Sequence, residues 1–180
     1  MRIFSYEVRI MKHQIAQAAS FIANKSKSRG IEGKDSGKLP RRVKQPSKKT
    51  IKDRAWRAFS KYVRIRDCLR TTGEITHGKC ITCGKLLSIG FSDAGHFISR
   101  RYNSTLFDEK NCHLQCRYCN RFLNGNPLEY RRQIIKLYGE GADIALEDKA
   151  REIKKYISQD LTELEKYYKI EVKRLMGVKE

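Results

Sequence analysis

The sequence has few acidic residues for its length, only three prolines and no long apolar run. Its 180 residues include 39 Lys or Arg but only 20 Asp or Glu, so the formal net charge is +19 at pH 7. A membrane span needs roughly 20 apolar residues, and charged side chains interrupt the amino-terminal segment where a signal peptide would need an apolar core. We therefore expect a cytoplasmic protein without a membrane span, whose charge favours a polyanion such as nucleic acid as its partner.

The positive charge is concentrated in one segment. Residues 25–54 contain twelve Lys or Arg and three acidic residues, a net charge of +9, without apolar periodicity. We interpret residues 25–50 as a flexible basic arm, because like charges at this density repel one another unless a polyanion neutralises them. A merely solvating linker is the alternative interpretation. The predicted DNA contacts of the arm are Arg41, Arg42, Lys48 and Lys49.

The remaining chain divides by its apolar pattern. The sequence does not assign a role to residues 1–24. In residues 51–72, apolar side chains recur at helical intervals between basic ones, which predicts an amphipathic basic helix. Residues 73–126 are rich in Gly, Cys, His and Asn and too broken for long helices, which favours a small α+β unit. Residues 127–180 return to helical spacing and predict a tail of three helices.

Four of the six cysteines form two pairs with CxxC spacing, Cys80 with Cys83 and Cys116 with Cys119. Two intervening residues let each pair present both thiolates to one tetrahedral Zn²⁺. A redox pair would not need a second copy, and disulfides are not expected without a secretory signal. We therefore predict a structural zinc site that supplies much of the folding free energy of this unit. The remaining two cysteines are expected to pack in the core: Cys68 and Cys112.

Between the two pairs lie residue types that can bind a hard cation and move a proton. Hydrolysis of a phosphodiester needs a base to activate water and a metal to stabilise the charge that develops on the oxygens. His96 is the candidate base, and Mg²⁺ or Mn²⁺ is the candidate Lewis acid. A histidine that only packs and hydrogen-bonds is the alternative interpretation.

The order of these motifs resembles the HNH, or ββα-metal, nucleases. The sequence Asp-Ala-Gly-His at residues 93–96 follows the first CxxC, Asn111 lies five residues before Cys116, and Asn120 directly follows the last cysteine. The resemblance implies that His96 is the general base, that Asn111 fixes the loop and orients the base, and that Asn120, on a helix opening at the second CxxC, binds the catalytic metal. It also implies an α+β fold, with a small zinc-stapled ββα-metal core flanked by basic α-helices.

One position departs from that pattern. Many HNH nucleases have a metal ligand immediately before the base, where this chain has Gly95. Asp93 lies three positions before His96, and residues three apart in a regular strand face opposite sides. We therefore expect Asp93 to reach the catalytic metal only if Gly95 sits in a bulge or turn, with His113 as the substitute ligand. A structural role for His113 is the alternative.

A more specific resemblance covers roughly residues 52–175. The phrases GHF, NxHxQCxxCN and LxGNxxEYR together resemble the NinG or Rap family of phage recombination proteins. This resemblance implies a protein that binds branched DNA, such as D-loops and Holliday junctions, and cleaves it as a structure-specific endonuclease in the cytoplasm of the phage's host. A non-catalytic branched-DNA-binding protein with a structural zinc and an RNA-binding zinc-ribbon protein are the other hypotheses.

Basic and aromatic residues near the proposed site complete the prediction. A cluster of arginines is expected to contact phosphates: Arg100, Arg101, Arg117, Arg121, Arg131 and Arg132. Three aromatic side chains can stack on unpaired bases, although core packing is the favoured interpretation: Tyr102, Tyr118 and Phe122. No base-reading helix of a known type is evident, which predicts weak sequence preference. A homodimer and contacts with other recombination proteins stay open.

Overall fold

A computed structural model of the protein describes residues 45–177. The predictions for residues 1–24 and for the basic arm up to residue 44, Arg41 and Arg42 included, lie outside the described residues. The described part combines α-helices with two small antiparallel sheets, which agrees with the predicted α+β class. No helix within residues 45–177 is both long and apolar enough to span a bilayer.

Helix α1, Lys48–Thr72, is the longest element of the described chain. Its first turn is capped by the Ser47 hydroxyl, which accepts a hydrogen bond from the Thr50 N–H at 3.2 Å. The helix ends at Gly73, whose φ of 78° lies in the left-handed region that favours glycine. The amphipathic helix predicted from residue 51 is therefore present and begins slightly earlier.

Two antiparallel strand pairs follow: β1 (His77–Lys79) with β2 (Leu86–Ser88), and β3 (Ser92–His96) with β4 (Cys112–Cys116). The register of the second pair is continuous from Ser92 opposite Cys116 to His96 opposite Cys112, without a bulge. Glycine at position 78 allows β1 to approach α1 closely, since a Cβ there would lie 2.9 Å from the Cys68 sulfur.

The segments around β4 are short. Helix α2, Asn103–Leu106, lies between β3 and β4, and a π-helical turn, Tyr118–Phe122, follows β4. The helix expected to open at the second CxxC is thus reduced to one turn. Asn124 and Asn126 adopt positive φ angles of 48° and 50°, which change the chain direction and end the turn before Pro127.

The predicted three-helix tail is present: α3 (Pro127–Tyr138), α4 (Ala142–Arg151) and α5 (Ser158–Leu175). Helix α3 covers one face of the β3–β4 pair, where the buried Tyr130 hydroxyl donates a hydrogen bond to the Gly95 carbonyl at 2.9 Å. Helix α1 covers the other face, where Ala94 and Cys112 pack against its buried side. All five residues of β4 are consequently buried.

The main apolar core lies between α1 and α5. Phe59 and Val63 of α1 and Leu161 of α5 are fully buried there. The Phe59 ring meets Tyr168 of α5 edge-to-face, with the ring centroids 4.8 Å apart. Because these helices are far apart in sequence, burial of their apolar faces holds α1, and with it the β3–β4 pair, in place.

Candidate functional site

The four cysteines of the two CxxC pairs come together in one cluster. Their sulfur atoms all lie within 4.8 Å of one another, and those of Cys83 and Cys116 are 3.9 Å apart. Four thiolates bound tetrahedrally at about 2.3 Å would be separated by about 3.8 Å. The donor set and its spacing therefore fit a tetrahedral metal ion such as zinc, and the predicted grouping of Cys80, Cys83, Cys116 and Cys119 is confirmed.

Hydrogen bonds to the Cys80 sulfur favour its thiolate form, which is the form that binds a metal ion. The Cys116 N–H donates to the Cys80 sulfur at 3.3 Å, and the Thr82 hydroxyl lies 3.3 Å from the same atom. Burial alone would raise the pKa of Cys80, but the hydrogen bonds from Thr82 and from backbone N–H groups lower it to about 7. Burial raises the pKa of Cys83 to about 12. Metal binding would deprotonate both thiols.

The other two cysteines lie away from the cluster, as predicted. Cys68 is buried in α1, and burial raises its pKa to about 11. Cys112 is fully buried at the start of β4, and burial likewise raises its pKa well above the usual value. Both thiols are therefore protonated, inert core residues.

His96 is held by stacking and by a backbone hydrogen bond. Its ring stacks on Trp56 of α1 with the centroids 4.9 Å apart, and the Arg100 guanidinium lies 4.3 Å from the Trp56 ring. The Nε2 atom lies 3.1 Å from the Leu106 carbonyl oxygen. Burial lowers the pKa of His96 to about 4, since the positive charge of Arg100 adds to burial and outweighs the opposing hydrogen bond. His96 is therefore neutral at pH 7.

The position of the Nε2 proton follows from this contact. A carbonyl oxygen can only accept, so Nε2 of the neutral His96 ring carries the proton and donates it to the Leu106 oxygen. The other ring nitrogen, Nδ1, is then unprotonated and can accept a proton. This is the protonation state that a general base requires.

Asn111 closes the loop that carries Leu106. Its side chain is fully buried, and its Nδ2 donates to the carbonyls of Thr105 at 3.0 Å and Ile98 at 3.1 Å. Its Oδ1 accepts from the Ile98 N–H at 2.6 Å. Because Thr105 directly precedes Leu106, Asn111 fixes the segment whose carbonyl orients His96. The arrangement fits the predicted role of Asn111 in fixing the loop and orienting the base.

Asp93, Asn120 and Arg121 meet beside the π-helical turn. The Asp93 carboxylate accepts hydrogen bonds from Asn120 Nδ2 at 3.0 Å and from two guanidinium nitrogens of Arg121 at 2.8 Å. Burial of Asp93 opposes its ionisation, but Arg121 and Asn120 hold its pKa below the usual value. Asn120 donates through Nδ2, and its Oδ1 accepts no hydrogen bond among residues 45–177; an amide oxygen of this kind is a suitable ligand for a hard cation.

Asp93 and His96 do not share a face of the strand pair. The regular register sends Asp93 to the π-helical turn and His96 to Trp56. The bulge at Gly95 that would bring Asp93 to the base is absent from β3. The expectation that Asp93 joins His96 at one metal is therefore corrected: Asp93 lies with Asn120 and apart from His96.

The packing of Gln115 explains why position 95 is a glycine. A Cβ at Gly95 would overlap the Oε1 atom of Gln115 on β4. The Gln115 side chain cannot easily move, because its Nε2 donates to the Thr82 hydroxyl at 3.1 Å and to the Gly125 carbonyl at 2.7 Å. A metal-binding side chain at position 95 is therefore incompatible with the fixed position of Gln115.

His113 is a structural residue in this fold. It is fully buried, with Nδ1 3.2 Å from the Tyr130 hydroxyl and Nε2 2.8 Å from the Tyr138 hydroxyl. Tyr130 donates its own proton to Gly95, so His113 Nδ1 donates and Nε2 accepts. Burial lowers the pKa of His113 to about 3. Both ring nitrogens are used, which corrects the prediction of His113 as a substitute metal ligand in favour of the structural alternative.

The predicted phosphate-binding arginines fall into two groups. Arg121 pairs with Asp93, Arg131 with Asp143 and Glu147, and Arg132 with Glu129. Because carboxylates already neutralise the three arginines of this first group, these arginines are weaker candidates for phosphate contacts. The second group pairs with no carboxylate among residues 45–177: Arg100, Arg101 and Arg117. Lys48 and Lys49 are exposed in the first turn of α1.

A basic groove between α1 and α5 is not evident from the sequence. The groove encloses about 660 Å³ and is lined by five basic side chains: Arg54, Arg57, Lys61, Lys169 and Lys173. Glu165 is the one acidic residue of the lining, and it pairs with Arg54 and Lys169. The net charge of the groove is positive, which suits an anionic ligand. The basic residues recur at helical spacing in the sequence of each helix. The sequence does not indicate that α1 and α5 pack together.

Two further contacts were also missed. Trp56 lies within the predicted amphipathic helix, but the sequence does not indicate that its ring stacks on His96. The buried carboxylate of Asp67 accepts hydrogen bonds from the Leu114 N–H at 2.7 Å and from Arg66 at 3.0 Å. Asp67 thereby attaches α1 to the middle of β4. The Trp56–His96 and Asp67–Leu114 contacts have no sequence signal, because each joins residues that are far apart in the chain.

Comparison with known proteins places the chain in a family. The model of the family described as "Bacteriophage Lambda NinG protein" matches residues 3–177. "Protein ninG" of Escherichia phage 933W is 34% identical over 110 residues, which cover 61% of this chain and 50% of that protein. "Protein ninG" of Salmonella phage P22 is 42% identical and that of Escherichia phage lambda 41% identical, each over 64 residues, or 35% of this chain and 31% of the relative.

The family model covers most of the chain, whereas the alignments to these relatives cover half of their length or less. The chain spans half the length of the phage 933W relative and less of the other two. No solved structure matches the chain significantly. Because the family model covers residues 3–177, the chain belongs to the NinG family of phage proteins.

Proposed function

We propose that this protein is a metal-dependent endonuclease that binds and cleaves branched DNA, such as D-loops and four-way junctions. The observation that carries the proposal is the contact between His96 Nε2 and the Leu106 carbonyl, supported by Asn111. This contact leaves Nδ1 of the neutral His96 ring unprotonated, which is the state that a general base requires. Here the buried Asn111 fixes the loop that sets the tautomer.

In the proposed reaction, His96 activates water. Nδ1 accepts a proton from the water as its oxygen attacks the phosphorus, and the bond from phosphorus to the leaving oxygen breaks. The low pKa of His96 keeps Nδ1 free of a proton at neutral pH. Stacking on Trp56 restricts rotation of the ring, so the base is oriented before substrate binds.

Asn120 is the proposed ligand of the catalytic Mg²⁺ or Mn²⁺. Its Oδ1 is a hard oxygen donor, and its orientation is fixed by the hydrogen bond from Nδ2 to Asp93. Bound there, the cation would stabilise negative charge on the phosphate and on the leaving oxygen. Asp93 is then a positioning residue, since its two oxygens are occupied by Asn120 and Arg121.

The order of elements also fits the HNH-like hypothesis. Strands β3 and β4 form an antiparallel pair, His96 lies on the first strand, and the helical turn that holds Asn120 and Cys119 follows the second. The cysteine cluster ties this turn to the β1–β2 pair and would act as a structural zinc site. The likeness rests on element order and residue roles.

The charged surfaces support DNA as the substrate. The basic groove between α1 and α5 and the unpaired arginines offer contacts to phosphates without base-specific readout. Such contacts favour recognition by backbone geometry, which suits branched DNA.

A cleavage assay with matched variants tests this function. The full chain, wild type or His96→Ala, is incubated with labelled four-way junctions, D-loops and linear duplex in Mg²⁺ or Mn²⁺. We expect wild type to cut the branched substrates and His96→Ala to bind but not cut them. His77→Ala is the control, because His77 is an exposed histidine on β1 outside the site. Wild type that binds DNA but never cuts with any divalent metal contradicts the proposal.

A second candidate is a non-catalytic protein that binds branched DNA around a structural zinc. The separation of Asp93 and Asn120 from His96 on opposite faces of β3 favours it, because a hydrolytic centre needs base and metal at one phosphate. The same assay separates the two candidates. Tight binding of junctions with no cleavage by wild type supports this second function.

A further inference from the structure

Three aromatic rings are exposed beside the cysteine cluster. Phe91, Tyr118 and Phe122 have exposed fractions of 67%, 63% and 75%; together they are called the aromatic surface below. The sequence favours core packing for three aromatic residues, Tyr102, Tyr118 and Phe122. That interpretation is wrong, since Tyr118 and Phe122 are exposed and Tyr102 is 49% exposed. Exposed aromatic rings grouped in this way usually mark a binding surface.

The three rings lie close together around the π-helical turn. Tyr118 and Phe122 lie four residues apart on the π-helical turn, nearly parallel at 25°, with centroids 6.1 Å apart. The guanidinium of Arg117 lies 5.5 Å from the Phe91 ring. Phe91 and Tyr118 line the same cleft of about 390 Å³, which borders the cysteine cluster and is also lined by three of its members: Cys83, Cys116 and Cys119. The aromatic surface is therefore continuous across the turn.

The charge beside the rings selects the kind of ligand. Lys85 and Arg117 line the cleft, and its ten lining residues include no carboxylate, although the cysteine sulfurs carry negative charge once a metal is bound. A ligand that suits both features has planar faces to stack on the rings and negative charge to meet the cations. Nucleotides of single-stranded DNA meet both requirements. Paired bases do not, because their faces are already stacked within the duplex.

We infer that the aromatic surface binds unpaired bases of a single-stranded segment, with Lys85 and Arg117 contacting its phosphates. The inference rests on the proposed function only in taking DNA as the ligand, and it requires no cleavage. It gives the protein a means to distinguish branched or partly unpaired DNA from duplex. The basic groove between α1 and α5 has no exposed aromatic ring in its lining and suits duplex phosphates instead.

Equilibrium binding of the full chain, without divalent metal, tests this inference. The two probes are a duplex with a single-stranded flap containing 2-aminopurine and a fully paired duplex of the same sequence. Tyr118→Leu and Phe122→Leu keep an apolar side chain but remove the aromatic face. Ile153→Ala is the control, because Ile153 is 90% exposed and lies outside the aromatic surface. Circular dichroism and metal content verify that each variant is folded.

We expect each leucine variant to bind the flap roughly ten-fold more weakly, with loss of 2-aminopurine quenching, and to bind duplex with wild-type affinity. Equal weakening on both probes, or no weakening on either, overturns the inference. A change of sedimentation coefficient in the leucine variants also overturns it, since the rings would then contact a second copy of the chain. Wild type that binds neither probe contradicts the proposed function itself, and this result is distinct from the others.

Discussion

The Nε2 atom of His96 lies 3.1 Å from the carbonyl oxygen of Leu106, ten residues later in the chain. The intervening loop is closed by Asn111, which bonds to the residue before Leu106. This contact fixes the ring and its proton before any substrate is present. His96 and Asn111 both belong to the sequence motifs. The Leu106 carbonyl that links them does not.

The pH dependence of cleavage should reflect the low pKa of His96. Protonation of Nδ1 removes the base, so the rate falls as the pH falls through the pKa in the folded protein. Because that pKa is about 4 rather than 6.5, single-turnover rates should stay nearly constant from about pH 8 to pH 5. Circular dichroism at each pH verifies the fold. A half-maximal rate near pH 6.5 would contradict the neutral, buried base.

Removal of the Asp93 charge should weaken the binding of the catalytic metal. Asp93→Asn keeps the shape of the side chain but disrupts its hydrogen bonds with Asn120 and Arg121. We expect the Mn²⁺ concentration for half-maximal cleavage to rise about 10- to 100-fold, with DNA binding retained. Asp148→Asn is the control, since it removes an exposed ion pair on α4. An unchanged Mn²⁺ titration would show that Asp93 does not position Asn120.

The cysteine cluster should be required for folding. Cys116→Ser removes one of four ligands, and structural zinc contributes on the order of 10 kcal/mol to folding. We expect loss of the bound metal by elemental analysis and loss of helical signal by circular dichroism. Cys68→Ser should retain the metal, because Cys68 is buried in α1 outside the cluster. One equivalent of metal retained in both Cys80→Ser and Cys116→Ser would refute the four-cysteine site.

The basic groove between α1 and α5 should contribute to DNA affinity through phosphate contacts. Reversal of two charges, in Lys61→Glu with Lys173→Glu, removes about two such contacts. The slope of log K against log salt should then become shallower by about 1 to 2. Lys154→Glu with Lys155→Glu is the control, because it makes the same charge change at exposed residues outside the groove. A slope identical to that of wild type would exclude the groove from the DNA interface.

The sequence predicts the grouping of the four cysteines, because each CxxC pair depends on local spacing. Two CxxC pairs have few folded arrangements other than one shared metal. Asn111 is identified only by the resemblance to the HNH nucleases, and the structure places its side chain at the loop closure. The sequence also predicts the amphipathic helix, since the residues of its buried face recur at helical spacing.

The sequence could not predict which polar residues meet across elements. His113 and Asp93 have the right chemistry for metal ligands, but tyrosines from α3 occupy one and Arg121 occupies the other. Tyr118 is exposed because it lies on a short π-helical turn. Amino-acid composition does not predict the length of that turn. Such contacts depend on tertiary packing, which places residues together that are 17 or more positions apart.

The central claim is that His96 acts as the base in metal-dependent cleavage. The most direct measurement is the single-turnover rate of four-way-junction cleavage in Mn²⁺ by wild type and by His96→Ala, at protein concentrations that give equal occupancy of the DNA. The account predicts that the variant is slower by at least about 100-fold while its junction affinity is unchanged. Equal rates for the two proteins, or binding without cleavage by wild type, would contradict it.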